Sequence, residues 1–290
     1  MSYRNVEVLS LSDHRPIWAQ VTLPSAASSG DSRDSSGDSR DDSATLGLRV
    51  ASHNVQEMVD DGVSTYVCSM ECVRGSRGSG ATAQLTSAML SKPARARHTQ
   101  RIVDMLRSQL GVSGAGESVQ PLIDAVCLQE VDRELLKAIQ AEAKSTGWSV
   151  HANASAQEPE LGTGRCSSIT AIVSREPPMR VLPDVVVEYK DTATKRVNTR
   201  RHAAVVLASR VALVSVHVRH CKAKGSEQPS NSENIEQTER AVVASCDAEG
   251  CFCVAAVGDW NGSVSGTDEI EVGLYLQLML PEIAFFEVLC

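Results

Sequence analysis

"LSLSDHRPIWAQV", residues 9–21, decides how the whole chain is read. An apolar run meets a tight Ser12-Asp13-His14 turn, and a second apolar run follows Arg15-Pro16. Pro16 biases the residue before it toward extended backbone, so the piece reads as strand, polar turn, strand. Next comes "SAASSGDSRDSSGDSRDDSAT", residues 25–45, a low-complexity stretch with a short self-repeat. It has too little apolar surface to offset the entropy of ordering, which predicts a solvated, flexible linker. The chain thus divides into a head, residues 1–24, and a body, residues 46–290. A head of that size is too short to fold alone and must pack on the body or on another chain.

The chain has 290 residues, 42% of them hydrophobic, enough for a full core. Its formal net charge of −8 argues against a protein that coats nucleic acid electrostatically. A nuclease remains compatible, because a basic patch or bound cations offset carboxylates locally. Nine irregularly spaced Cys and no leading apolar signal predict free thiols in a reducing, intracellular compartment, cytoplasm or nucleus. Cys68-x3-Cys72 and the group Cys246, Cys251 and Cys253 raise zinc, but neither has a second ligand pair at finger-like spacing. No apolar run approaches the ~20 residues of a membrane span, so no stable membrane insertion is expected. The tail "LYLQLMLPEIAFFEVLC" is broken by Pro281, Glu282 and Glu287.

The body alternates between strand-like and helix-like patterns. "LGLRVASHNV" (46–55) and "LIDAVCLQE" (122–130) are continuous apolar runs, as buried strands are. Between them, residues 57–92 are irregular and rich in Gly and Ser, and in residues 94–110 Ile102, Val103, Leu106 and Leu110 share one helical face. Val131, Leu135, Ile139 and Ala143 recur every four residues, and Gly147 is a natural helix end. "WSVHAN", "SSITAIVSR", "RHAAVVLAS" and "RVALVSVHV" follow as strands, residues 232–245 as a helix, and "CFCVAAVGDWN" as a last buried strand. Strands and helices in this order fit a layered α/β sandwich or a parallel doubly wound sheet. The many strand-to-strand connections without helices favour the mixed sandwich.

Several apolar strands end abruptly in polar residues. Asn54 follows "LRVASH", Glu130 follows "DAVCLQ", His217 follows "VALVSV", Asp259 and Asn261 follow "FCVAAVG", and Asp13 and His14 follow "VEVLSLS". Each alone has a plainer explanation, such as a turn residue, a helix-start carboxylate or a half-buried His. Five such ends together point to one chemistry, phosphoester hydrolysis. Hard Mg²⁺ or Mn²⁺ suits oxygen ligands such as Glu130. Asp259 suits proton removal from water, His14 or His217 suits contact with phosphoryl oxygens, and Asp13 suits metal binding or the fixing of His14.

On "RVASHNVQ", "DAVCLQEV", "SSITAIVSR", "VALVSVHV", "VAAVGDWNG" and "LSDHRPIWAQV", which span most of its length, the chain resembles the endonuclease/exonuclease/phosphatase superfamily. The resemblance implies a deoxyribonuclease-like, four-layered αββα sandwich with its site at one end of two sheets. It implies that Glu130 is the principal ligand of Mg²⁺ or Mn²⁺, with Asn54 beside it. It implies that Asp259 orients or deprotonates the attacking water with support from Asn261, and that His217 contacts the phosphate. It also implies that Asp13 and His14 form the last metal- and phosphate-binding pair.

The chain departs from the family pattern in two ways. The Ser-Asp-His motif, which ends the family order, here comes first. The strand that normally precedes it is best matched by "EIAFFEV" (282–288), where Ala284 takes the place of the Asp that steadies the catalytic His. A circular permutation accounts for the order, with the head returning as the last strand beside "EIAFFEV" and residues 25–45 as the joining linker. A coil of that length reaches about 25 Å, ample for the purpose. A leftover upstream domain, head-to-tail assembly and a faulty gene model are the alternatives.

Substrate is less specified. The Asn-Tyr-Arg that follows Gly-Asp in inositol phosphatases is absent from "GDWNGSV". Basic residues in "KRVNTRRH" (195–202), among them Arg200 and Arg201, and in "RHCKAK" (219–224) suit a phosphate-rich groove. The expected partner is a phosphoester substrate, with DNA or RNA favoured. The rival expectation is a catalytically weak relative that binds a phosphorylated ligand or a protein.

Overall fold

The computed structural model describes residues 17–23, 46–55, 92–111, 123–157, 169–190, 197–218, 232–251, 253–260, 275–278 and 286–289. Their strands form two sheets. The first contains β1 (Ile17–Leu23), β2 (Leu46–Asn54), β3 (Ala125–Gln129), β4 (Ser149–Ala152), β5 (Ala171–Ser174) and β12 (Phe286–Leu289), in the order β12-β1-β2-β3-β5-β4. The second contains β6 (Arg180–Val181), β7 (Val185–Lys190), β8 (Val197–Val206), β9 (Ala212–His217), β10 (Cys253–Asp259) and β11 (Tyr275–Leu278). Its order is β11-β10-β9-β8-β6, and β7 also pairs with β8. The described helices are α1 (Lys92–Leu110), α2 (Arg133–Thr146) and α3 (Ser232–Ala248).

Strand alternation explains how these elements stack. Leu48 and Val50 of β2, and Ala125 and Cys127 of β3, meet Leu213 of β9 and Cys253, Ala255 and Val257 of β10 between the two sheets. Ala51, Val126 and Leu128 point the other way, onto Ile102 and Leu106 of α1 and Leu135 and Ile139 of α2. Val214, Val254 and Ala256 turn out of the second sheet onto Val242 and Cys246 of α3. Three apolar layers therefore separate four structural ones, and the fold is the αββα sandwich. Strands covered on both faces are apolar at nearly every position, which is why they read as unbroken runs.

The predicted helices are present with shifted ends: 94–110 begins at Lys92, and 232–245 continues to Ala248. In α2 the Asp132 side chain accepts the Leu135 N–H at 2.7 Å, and Gly147 closes the helix at φ 78°. Strand β7 was not anticipated. Its sequence, VVVEYK, alternates buried Val185, Val187 and Tyr189 with exposed Val186 and Glu188 at the sheet margin. Among the described Cys, Cys246 and Cys253 lie in different apolar layers, and all four are free thiols.

Strand β1, from the head, lies between β2 and β12, antiparallel to both. Ala19 is opposite Val50 on one side and Val288 on the other. The strand expected over 282–288 is described at Phe286–Leu289. The linker, residues 25–45, and Ala284 lie outside the described residues.

Two parallel pairs aim the site. β2 and β3 run together with Asn54 opposite Gln129, and β9 and β10 with His217 opposite Asp259. Arg49 and Asp124 hold the register at the far end of the first pair: the Arg49 N–H donates to Asp124 Oδ2 at 2.8 Å, and the side chains pair at 3.2 Å.

Candidate metal centre

Asn54, Glu130, His217 and Asp259 come from four strand ends in two sheets and converge on one buried point. Asn54 Nδ2 donates to Glu130 Oε1 at 3.2 Å and to Asp259 Oδ2 at 2.8 Å. His217 Nε2 lies 3.5 Å from Glu130 Oε1 and 4.0 Å from Asp259 Oδ2. All four residues are buried. One ligand atom from each of Glu130, His217 and Asp259 falls within 4.8 Å of the others.

Alternation alone delivers three of the four. Asn54 continues the inward face of Leu48 and Val50, His217 that of Leu213, and Asp259 that of Val257. Glu130 does not follow the rule. It shares parity with Val126 and Leu128, which face the helices, so a regular strand would point it away from the site. Its φ of 55° breaks the pleat, and Gln129 and Glu130 both look between the sheets. A residue with a Cβ pays about 1–3 kcal/mol for such a conformation, and such strain is characteristic of functional positions.

One step deeper lies a polar layer that sequence reasoning missed. Ser52 Oγ donates to Gln129 Oε1 at 3.1 Å, Gln129 Nε2 to Ser215 Oγ at 3.2 Å, and Ser215 Oγ to the Leu128 carbonyl at 3.0 Å. Ser52 and Ser215 stand two residues before Asn54 and His217, on the same strand faces. A Ser at that spacing inside an apolar run was the available signal. Below this layer is Cys127, whose thiol is pushed well above its ordinary range by burial.

Gly258 is a second missed residue. A Cβ there would overlap the Val216 carbonyl, so the close approach of β9 and β10 requires glycine. His202 is a third. β8 pairs with β9 only over residues 203–206, then follows β7 over residues 197–202. Where the strands part, His202 Nδ1 accepts the His217 N–H at 3.3 Å in place of a ladder bond. Burial, then the charges of His217 and Arg200, lower the His202 pKa to about 3, so the ring is neutral.

The two arginines separate. Arg201 shares the parity of Ala203, whose side chain lies between the sheets, and stands opposite exposed Val186 of β7. Arg200 has the parity of His202, opposite buried Val187 on the face toward α3. Both are half-buried. Asp13, His14 and Asn261 lie outside the described residues, as does the basic stretch 219–224.

The donor set fits a hard divalent cation. Mg²⁺ binds oxygen at about 2.0–2.1 Å, so two ligands of one ion lie within roughly 4.2 Å of each other. His217 Nε2 stands 3.5 Å and 4.0 Å from the two carboxylates, and all three ligand atoms lie within 4.8 Å of one another, close to that span. Two buried carboxylates beside a His form the kind of site in which a cation offsets mutual repulsion.

Fold and rim together define a class: an α/β sandwich of deoxyribonuclease type with an acidic and imidazole cluster at the strand ends. The resemblance read from the motifs therefore holds in the architecture. Among solved structures, the chain is similar to D. rerio TDP2 humanized by 14 mutations, at 16% identity and a TM-score of 0.36, over 59% of this chain and 58% of that one. It is similar to TDP2 from C. elegans at 17% identity and a TM-score of 0.36, over 60% and 45% of the respective chains. It is similar to the human Nocturnin catalytic domain with bound sulfate at 12% identity and a TM-score of 0.31, over 48% and 52%. The matched region thus spans about half the length of these proteins. No protein-family model and no curated protein matches the chain. Among the described residues, no helix is long and apolar enough to cross a membrane.

Proposed function

We propose that this chain is a metal-dependent phosphoester hydrolase of the endonuclease/exonuclease/phosphatase superfamily, a phosphodiesterase or phosphatase with nucleic acid as the slightly favoured substrate. The observation that carries the reading is the convergence of Glu130, His217 and Asp259, from separate strands, within ligand distance of one cation. Bound Mg²⁺ or Mn²⁺ supplies neutralisation of the phosphate charge and of the leaving oxygen. Glu130 would be its principal ligand, with Asn54 beside it and with His217 and Asp259 within ligand reach from the facing sheet. Asp259 takes a proton from the attacking water, and its bond from Asn54 keeps the carboxylate aimed. His217, with its backbone N–H tied to His202, presents its ring to a phosphoryl oxygen. Asn261 supports Asp259, and Asp13 and His14 complete the metal and phosphate contacts. Arg201, which has the parity of inward-facing Ala203, is the stronger candidate for substrate phosphate, and Arg200 contributes charge from the opposite face.

The same reading makes residues 1–24 the displaced last strand of a circularly permuted domain. It is supported by the seating of β1 between β2 and β12.

Hydrolysis of bis-p-nitrophenyl phosphate and of labelled DNA, RNA and inositol phosphates, with Mg²⁺ or Mn²⁺, tests the function. Asp259→Ala should lower the rate by ~10²–10⁴. No metal-dependent turnover above that variant refutes the enzyme reading.

A further inference from the structure

We infer that Gln129 is a positioning residue that sets the spacing of the metal centre by tying the two sheets together beneath it. The inference rests on the metal-site reading above and deepens it. Glu130 belongs to the first sheet, and His217 and Asp259 to the second. The distance between these ligands therefore depends on how the sheets are held at this end. Directly beneath, the chain Ser52, Gln129, Ser215 crosses from one sheet to the other. Gln129 and Ser215 are fully buried and Ser52 nearly so, which strengthens hydrogen bonds and makes a lost one costly.

The network has one polarity. Ser215 commits its hydroxyl proton to the Leu128 carbonyl, so toward Gln129 it must accept. That fixes the Gln129 amide nitrogen toward Ser215 and leaves its oxygen to accept from Ser52. Both ends of the amide are used, and the residue has one orientation. Gln129 is bonded to Glu130, whose left-handed backbone is the irregular step in the site. Anchoring Gln129 from both sheets holds that step in place. Groups outside the ligand shell that orient ligands typically change metal affinity by about 10–100-fold when removed.

The test measures Mn²⁺ affinity from the paramagnetic resonance of free Mn²⁺, with urea unfolding of the metal-free protein alongside. Gln129→Met keeps the length and removes both hydrogen bonds, and Ser215→Ala removes one end of the bridge. Val205→Ala, in the same inter-sheet layer, controls for a general loss of core packing. The expected result is a rise of about tenfold in the Mn²⁺ dissociation constant for Gln129→Met and for Ser215→Ala. Val205→Ala lowers the unfolding midpoint with the dissociation constant unchanged. Should Gln129→Met not fold, Ser52→Ala and Ser215→Ala carry the test. Unchanged Mn²⁺ affinity in the bridge variants overturns the inference alone. Absence of Mn²⁺ uptake by the unaltered protein overturns the metal-site reading and this one with it.

Discussion

At Glu130, glycine should be more stabilising than alanine, the reverse of the usual order in a strand. Both substitutions remove the carboxylate, the bond from Asn54 and the repulsion from Asp259, so these effects cancel in the comparison. What remains is the backbone, held at φ 55°. A residue with a Cβ pays about 1–2 kcal/mol in the left-handed region. Glycine avoids that cost but loses about 0.5–1 kcal/mol of extra chain entropy on folding. Glu130→Gly should therefore exceed Glu130→Ala in stability by about 1 kcal/mol. With a urea slope of roughly 3 kcal/mol/M, the midpoints should differ by about 0.3 M. The assay is urea unfolding of both variants, without divalent cations, followed by far-UV circular dichroism. If alanine is more stable by about 0.5 kcal/mol or more, the ordinary strand order holds. The left-handed step is then not a native feature, and the account of how Glu130 leaves its parity fails with it.

Gly258→Ala should destabilise by about 1–3 kcal/mol, because the added methyl meets the Val216 carbonyl. It should also weaken Mn²⁺ binding by separating His217 from Asp259, and both effects are readable in one metal titration with unfolding controls. His53, whose pKa is lowered to about 4 by burial despite its contact with Gln109, should make metal-free stability fall as pH drops below 6.5. The unfolded chain takes the proton that the folded one refuses, at about 1.4 kcal/mol per pH unit until pH approaches 4, so His53→Gln should flatten a urea-stability profile by one proton over that window. Deleting residues 1–24 removes β1 from between β2 and β12 and should abolish cooperative unfolding. A truncated chain that unfolds with undiminished midpoint and slope counts against the permuted-domain reading.

Wherever one strand face decides a residue's place, the sequence was readable. Asn54, His217 and Asp259 each end an apolar run at an inward position, so the pleat carries them to the site. The α2 helix was equally legible, because its four-residue period and Gly147 are local signals. Glu130 reaches the same point for a different reason. Its motif marked it, but nothing in its neighbours shows that the strand must turn left-handed to bring it inward. The polar bridge was illegible for a related cause. Ser52, Gln129 and Ser215 are far apart in the chain, and each reads as an ordinary interruption until the two sheets face each other. Arg200 and Arg201 read as one basic pair, yet adjacent strand residues must face opposite ways, so the two do not share one face. The cluster is therefore a property of the gap between the sheets. Alternation within strands sets Asn54, His217 and Asp259, and the left-handed step at Glu130 brings in the fourth member.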